Sequence, residues 1–349
     1  MKIFYLSEKN KTEFYAGSKA RMDVEKILMK HNYIPLRLPK AGKEKRHLNR
    51  LLYAFKIYHF YYKTLRKVKK NSPIIVQYPL IAQFRNSSNK IGFNYLLDKL
   101  VKNYKIIVII HDINSLRGMD KNSDIQILKY ASFIISHNKK MNEYLSKSGI
   151  KKEKIQNLKV FDYLISKDIN TNHFSDKATI CFAGNLAKSR FLYVLPKSIR
   201  KLKFNLYGPG LQKKLSDENY MGKFKADIIH LKLKGKYGLV WDGNTYKTCE
   251  GPIGNYLRYN NPHKLSMYIV ANMPVIIWQE AAEAEFVKNN GIGILINDLD
   301  SLEEKLSLIT EEDYNNMVQN VLKIKRKITS GYYLSFQLKE IEKKLAQIN

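Results

Sequence analysis

Two cysteines, Cys181 and Cys249, are all that the 349 residues contain. So few exclude a disulfide framework and a CxxC metal knuckle, and they fit a reducing cytoplasm. Long apolar runs are missing as well. None approaches the roughly 18–20 residues needed to cross a bilayer, and the longest, around Lys105–Ile110, has the length of a buried strand. The opening Met1-Lys2-Ile3-Phe4-Tyr5-Leu6 passes directly into a strand-like pattern with no signal-peptide apolar region or cleavage site, as expected of a chain that stays in the cytoplasm. Acids are scarce: 31 Asp and Glu stand against 61 Lys and Arg, a formal charge of +30. That excess favours an anionic partner, whether nucleic acid, an acidic lipid surface or a phosphorylated substrate. A lysine-rich codon bias produces part of it with no partner at all.

The familiar nucleotide signatures are absent too. There is no GxxxxGK[ST] phosphate loop and no GxGxxG fingerprint, which excludes the common NTPase and dehydrogenase designs, and HExxH and GxSxG are missing. Asp298-Leu-Asp300 has the spacing of a metal-binding DxD. It follows a strand and precedes Ser301-Leu-Glu-Glu, so helix capping by Asp300 or Ser301 explains it better than a metal does.

What is present is a chain long enough for two domains, with hydrophobic residues at 44% spread along its whole length. Short runs rich in Ile, Val, Phe and Tyr predict strands at 2–6, 33–37, 73–78, 105–111 and 132–136. Helical patterns fall between them at about 18–31, 48–69, 89–103 and 139–147. A polar stretch, Ile165–Lys177, reads as a linker. The alternation then resumes, with strands at 178–183, 203–207, 237–241, 274–278 and 293–296. Helices follow at 262–271, 281–288, 301–308 and 311–327, and a last one at about 334–347 closes the chain. This predicts two doubly wound, Rossmann-like α/β domains, residues 1–168 and 169–330, with a C-terminal helix over 331–349. Their ligand cleft is expected at the carboxyl ends of the strands.

One segment carries more than fold. Between Gly254 and Gly293 the chain reads GNYLRYNNPHKLSMYIVANMPVIIWQEAAEAEFVKNNGIG. Pro262 suits a first helical turn, whose free N–H groups attract an anion, and Lys264 adds a full positive charge. The alternative is that Asn260 and Asn261 cap the helix while Lys264 is solvated.

From Asn255 to Gly293 this segment resembles bacterial β-1,6-galactofuranosyltransferases and the glucosyltransferases that extend O-glycans on streptococcal adhesins. The shared succession is a lysine-bearing helix, an Ala-x-x-Pro-Val-Ile strand entry and a helix ending in Asn-Asn-Gly-x-Gly. The similarity continues more weakly, but collinearly, over the rest of the chain. It implies the GT-B arrangement of two Rossmann-like domains facing each other across a cleft, a UDP-sugar donor, and no cofactor or bound metal.

On this resemblance Asn261, Pro262, His263 and Lys264 would hold the donor diphosphate. Phe182-Ala-Gly184-Asn185-Leu-Ala-Lys188 corresponds to a Phe-x-Gly-Asn turn followed by a basic residue, with Lys188 or Arg190 reaching the phosphates. Tyr207 and Gly208 end a strand where such enzymes seat the base. Ala282 and Glu285 follow the Pro-Val-Ile strand, and Glu285 either binds ribose hydroxyls or lies on a solvated helix face. Ile109-Ile-His111-Asp112 matches an Ile-His-Asp in the adhesin enzymes. Asp112 is the candidate general base for an acceptor hydroxyl, or else it caps the next helix or holds Arg117. The loop around Gly17, Ser18 and Arg21 would contact donor or acceptor.

A basic, aromatic stretch remains. From Arg37 to Lys70 there are twelve Lys and Arg against one acid, Glu44, and the helix within it carries Tyr53, Phe55, Tyr58, Phe60, Tyr61 and Tyr62. Such a helix suits an anionic inner membrane surface, as an enzyme acting on a lipid-linked saccharide requires, or it packs on its own sheet. The resemblance thus implies a hexosyltransferase that moves galactofuranose or glucose from a UDP-sugar to a saccharide, and homo-oligomers as in the family; the basic helix adds the expectation of a place at the membrane surface. The alternatives are a basic nucleic-acid-binding protein, for which no RNP, KH or OB signature appears, and a non-catalytic glycosyltransferase-like subunit.

Overall fold

A computed structural model of the chain describes residues 1–8, 16–40, 47–80, 90–119, 123–168, 179–212 and 219–348. Tyr15, Glu44 and most of the expected linker, from residue 169 onward, lie outside the described residues.

The first half builds a parallel six-stranded sheet in the order β2-β1-β3-β4-β5-β6. Its strands are β1 (Phe4–Ser7), β2 (Ile34–Arg37), β3 (Pro73–Tyr78), β4 (Lys105–Ile110), β5 (Phe133–Ser136) and β6 (Ile155–Asn157). Helices α1 (Ala16–Lys30), α2 (His47–Lys63), α3 (Lys90–Asn103), α4 (Ser123–Leu128) and α5 (Lys139–Lys147) connect them. Strands β3 and β5 are buried at every position, which is why they read as unbroken apolar runs rather than as alternations.

The second half repeats the plan, in the order β12-β11-β10-β7-β8-β9, again all parallel. The strands are β7 (Ile180–Ala183), β8 (Phe204–Tyr207), β9 (Asn219–Gly222), β10 (Tyr237–Val240), β11 (Val275–Trp278) and β12 (Gly293–Ile296). Helices α6 (Lys197–Arg200), α7 (Gly251–Tyr256), α8 (His263–Val270), α9 (Ala284–Asn290), α10 (Leu302–Ser307) and α11 (Glu311–Ser330) accompany them, and α12 (Tyr332–Ile348) ends the chain. Strand order reverses between β7 and β10, and a doubly wound sheet opens its ligand crevice at such a point.

Three differences from the sequence reading have physical causes. The edge strands β6 and β9 went unforeseen because Ile-Gln-Asn and Asn-Tyr-Met-Gly are only partly buried and offer no apolar run. Gly17, Ser18 and Arg21 lie on α1, not in a loop. The Asp298 carboxylate accepts from Ser301 N at 2.8 Å and Asp300 pairs with Lys247, so Asp298, rather than Asp300 or Ser301, caps the turn.

One core runs through both halves. It includes Ile27, Ile109 and Phe133 from the first sheet's surroundings, Phe182 and Ile276 from the second sheet, and Leu334 and Ile341 from α12. Gly331 makes the crossing possible. Its φ of +81° turns the chain out of α11, and a Cβ there would meet Ile27 at 2.9 Å. Helix α12 then returns to the first half, where Tyr33 Oη donates to Glu342 at 2.6 Å and Gln337 Nε2 to the Asn157 carbonyl at 2.7 Å. The buried Lys19 ammonium fastens the joint, 2.5 Å from Asp23, 2.6 Å from the Leu164 carbonyl and 4.7 Å from the Tyr163 ring centre.

Candidate donor site

The crevice at the second sheet's reversal point holds a cavity of about 500 Å³, within the usual range for small-ligand sites. Two turns form one wall. The Gly184–Asn185 turn leaves β7, and Tyr207–Gly210 leaves β8. Gly184 N donates to the Tyr207 carbonyl at 3.0 Å, and Leu186 N donates to Pro209 at 2.9 Å. Gly208 has φ +130°, and a Cβ on it would lie 1.8 Å from the Gly184 carbonyl oxygen. Backbone therefore meets backbone here, leaving bare main chain facing the space. Tyr207 contributes its ring. Its hydroxyl is taken up by the Lys232 carbonyl and Lys234 N, both at 3.0 Å.

The opposite wall is the start of α8. Pro262 is the N-cap, with φ −71° and ψ 123°, and makes no side-chain cap. Beyond the Leu265 N bond to the Pro262 carbonyl (2.9 Å), the first-turn amides of His263 and Lys264 have no intrahelical acceptor, as at any helix start. Lys264 Nζ sits 3.0 Å from both the Trp241 carbonyl and Asp242 Oδ2, and 4.8 Å from the Phe182 ring centre. It is neither solvated nor alone. Asp242 follows β10, so the ion pair ties the start of α8 to the carboxyl end of the strand before it.

His263 also lines the cavity, packed 5.3 Å from the Tyr163 ring and 5.7 Å from Phe161. Burial pushes its pKa down to about 3, so the ring is neutral at pH 7. Its Nε2 is buried with no hydrogen-bond partner among the described residues. A buried polar atom left unpaired at a cavity wall is a ready contact for a ligand.

The structure brings Gly17, Gly184, Asn185, Tyr207, Gly208, His263 and Lys264 to this one space. Other residues singled out in the sequence stand elsewhere. Lys188 is exposed, its backbone N bonded to Asn185, and it does not line the cavity; Lys223, just after β9, does. Ala282 N donates to the Leu257 carbonyl at 2.8 Å, and the exposed Glu285 pairs with Lys139 at 2.5 Å. Asn261 N bonds to the His137 ring at 3.0 Å. Sequence reasoning missed Tyr163, Lys223, Phe224 and Met267. They come from the interdomain segment, from an unforeseen edge strand and from the inner face of α8, and no local pattern marks them.

On the first half's side, His111 Nε2 lies 2.7 Å from Gln77 Oε1, and its ring stacks on Phe161 at 5.6 Å. Burial, with help from the Arg21 charge, holds its pKa well below the ordinary histidine value. Arg21 donates to the Gln77 and Pro79 carbonyls. Asp112 lies 3.0 Å from Arg117 Nη1, with Tyr256 as a hydrogen-bond partner. Its carboxyl, about 36% exposed, has a pKa raised chiefly by burial, against the opposing pull of Arg117. Ser18 is buried in the first turns of α1.

Comparison with known proteins places this geometry in context. Residues 3–160 match the family model for the N-terminal domain of glucosyltransferase 3-like proteins, and residues 180–341 match its C-terminal domain. The β-1,6-galactofuranosyltransferase WbbI of Escherichia coli (strain K12) is 31% identical over 343 residues, covering 97% of this chain and 98% of that protein. Glucosyltransferase 3 of Streptococcus gordonii is 25% identical over 66% of this chain and 68% of its own. Among solved structures, the apo lipopolysaccharide outer core galactosyltransferase WaaB superposes with a TM-score of 0.60 at 12% identity, over 99% of this chain and 100% of that one. Anabaena Alr3699/HepE in complex with UDP and glucose gives 0.57 at 13% identity, over 99% of both chains. The fold is GT-B.

Proposed function

The chain belongs to the glucosyltransferase 3-like family, and from that premise we propose that it is a hexosyltransferase moving galactofuranose or glucose from a UDP-sugar to a saccharide hydroxyl. The observation that carries this reading is the α8 start. Two free amides, the Lys264 ammonium and the unpaired His263 nitrogen border one cavity with the bare Gly184 and Gly208 turns. As the bond between the anomeric carbon and the diphosphate breaks, negative charge grows on the departing UDP. A helix start and a lysine stabilise that charge without a metal ion.

For the acceptor half we propose Asp112 as the base that takes the hydroxyl proton. Burial raises its pKa, which makes it a better proton acceptor, and Arg117 and Tyr256 fix its direction. Arg21 and His111 stand beside it on the acceptor side. The acceptor we propose is a saccharide in cell-surface polysaccharide or glycoprotein glycan assembly, lipid-linked where the enzyme works at the inner face of the membrane. The docking surface would be α2, which leaves Phe55 69% exposed along with Leu51, Leu52 and Tyr62. A homo-oligomer is also part of this proposal.

The test is a thermal-shift screen against a panel of UDP-sugars, followed by mass spectrometry of acceptor products. Calorimetry then compares Lys264→Ala with the parent. Losing a charge-assisted contact to phosphate should weaken UDP binding by about 10- to 100-fold in a folded protein. Unchanged UDP affinity in that variant removes the central residue of the reading.

A further inference from the structure

The turn between β5 and α5, Ser136-His137-Asn138-Lys139, belongs to the first half, yet it also reaches the second. His137 Nδ1 accepts from Asn261 N at 3.0 Å, and Nε2 faces the Ile110 carbonyl at 3.1 Å. An Nδ1 that accepts from an amide carries no proton, so the ring is the neutral Nε2–H tautomer and donates to Ile110. One buried ring therefore joins the residue before His111 and Asp112 to the residue before Pro262.

Asn138 reinforces the joint. Its Nδ2 lies 3.0 Å from the Tyr259 carbonyl, 3.3 Å from that of Asn260 and 2.9 Å from Glu283 Oε1. Its other atom, Oδ1, accepts from Met141 N at 3.0 Å and caps α5. Both side chains are at least nine-tenths buried, and so is Glu283. Lys139 completes the set with its ion pair to Glu285. Three consecutive residues of one domain thus engage the run 259–261 between α7 and α8 and the start of α9, Glu283 and Glu285, of the other.

We propose that His137 and Asn138 are positioning residues: from the acceptor-side domain they fix the start of α8, and so the seat of the donor's phosphates. The inference rests on the donor reading of that helix. An α8 start anchored to its own domain alone would be free to shift as the domains move. Anchored here, it keeps its register to the strand end that carries His111 and Asp112, which aligns the two substrates' sites. The Asn261 amide, spent on His137, is also withdrawn from the phosphates, which leaves those of His263 and Lys264.

Asn138→Asp separates this role from folding. The aspartate keeps an oxygen for Met141 N, preserving the α5 cap, while its other oxygen turns an acceptor on Tyr259, Asn260 and Glu283. Calorimetry with UDP should show at least a tenfold loss of affinity, with circular dichroism unchanged. Adding Glu283→Gln supplies an amide donor opposite the new carboxylate, and the double variant should recover at least threefold of that loss. UDP affinity in Asn138→Asp equal to the parent's overturns the proposal. So does a loss that Glu283→Gln leaves untouched, because the effect would then be general damage. A parent that binds no UDP instead overturns the donor reading itself, and the two failures are distinguishable.

Discussion

At the scale of single residues, the site turns on side chains whose charge state the fold fixes. His137 is the clearest case. Burial lowers its pKa to about 4 against an ordinary value near 6.5. Unfolded chains therefore take up a proton as pH falls through about 6.5, whereas the folded protein does so only near 4. The stability due to this histidine is complete above pH 6.5 and drains away between there and about 4, by up to about 1.4 kcal/mol per pH unit. The buried acids Asp162 and Asp23, raised to about 7 and 6, respond in the opposite sense. The informative quantity is accordingly the gap between the parent and His137→Phe in urea unfolding. It should narrow by about 2–3 kcal/mol from pH 7 to pH 4.5; a gap independent of pH would refute the assignment. For Asp112→Asn, calorimetry should find UDP affinity kept while product formation falls by at least about 100-fold. Continued turnover would eliminate it as the base.

Residues also show how far sequence reaches. Lys264 could be singled out because its segment carries the family resemblance and sets the lysine two residues after a first-turn proline. Which second lysine borders the cavity is a tertiary fact. Lys188 follows the Gly-Asn turn in sequence but faces water, and Lys223 arrives from β9. Nothing near Lys223 in the chain advertises its place.

Among elements, the central strands and long helices were legible because burial imposes their periodicity, and β3, α5 and β12 fall within their expected limits. The polar edge strands were not. The two turns at the cavity depend on one element-level fit, the closeness of the β7 and β8 exits. Gly208→Ala would drive a methyl group into the Gly184 carbonyl. We expect about 3 kcal/mol or more of destabilisation, read by denaturant unfolding, with UDP binding lost from whatever remains folded. Near-parent stability would mean that the two turns can separate.

Helix α2 poses the other question at this scale. Tyr53, Ala54, Ile57 and Phe60 pack inward, while Leu51, Leu52, Phe55, Tyr58 and Tyr62 face outward beside the exposed Lys56 and Lys63. The sequence offered sheet packing and membrane docking as alternatives; the helix packs one face inward and leaves the other, apolar and basic, exposed. Replacing Leu51 and Phe55 by Ser should reduce co-sedimentation with phosphatidylglycerol vesicles about tenfold and leave UDP affinity as it was. Equal sedimentation of both proteins would remove α2 as the docking face.

For the whole molecule, the two halves are stitched together at several points. Lys19 holds Leu164, and Ser266 Oγ donates to the Phe161 carbonyl at 2.6 Å. The Asp162 carboxylate accepts from Tyr333 N and Leu334 N at 3.2 and 2.7 Å, seating the first turn of α12. None of this was legible in the chain, since each stitch joins residues more than a hundred positions apart.

The return of α12 has a consequence for how the protein is made. The flank formed by Ile27 of α1 and by Tyr33 just after it is covered by residues made only after the whole second domain. At about 5–20 residues per second, the first domain would wait roughly 10–40 s in an unfinished state while the second is synthesised. During that interval its bare flank is a natural target for a chaperone, and losing α12 would cripple a domain whose own strands are all upstream of residue 160.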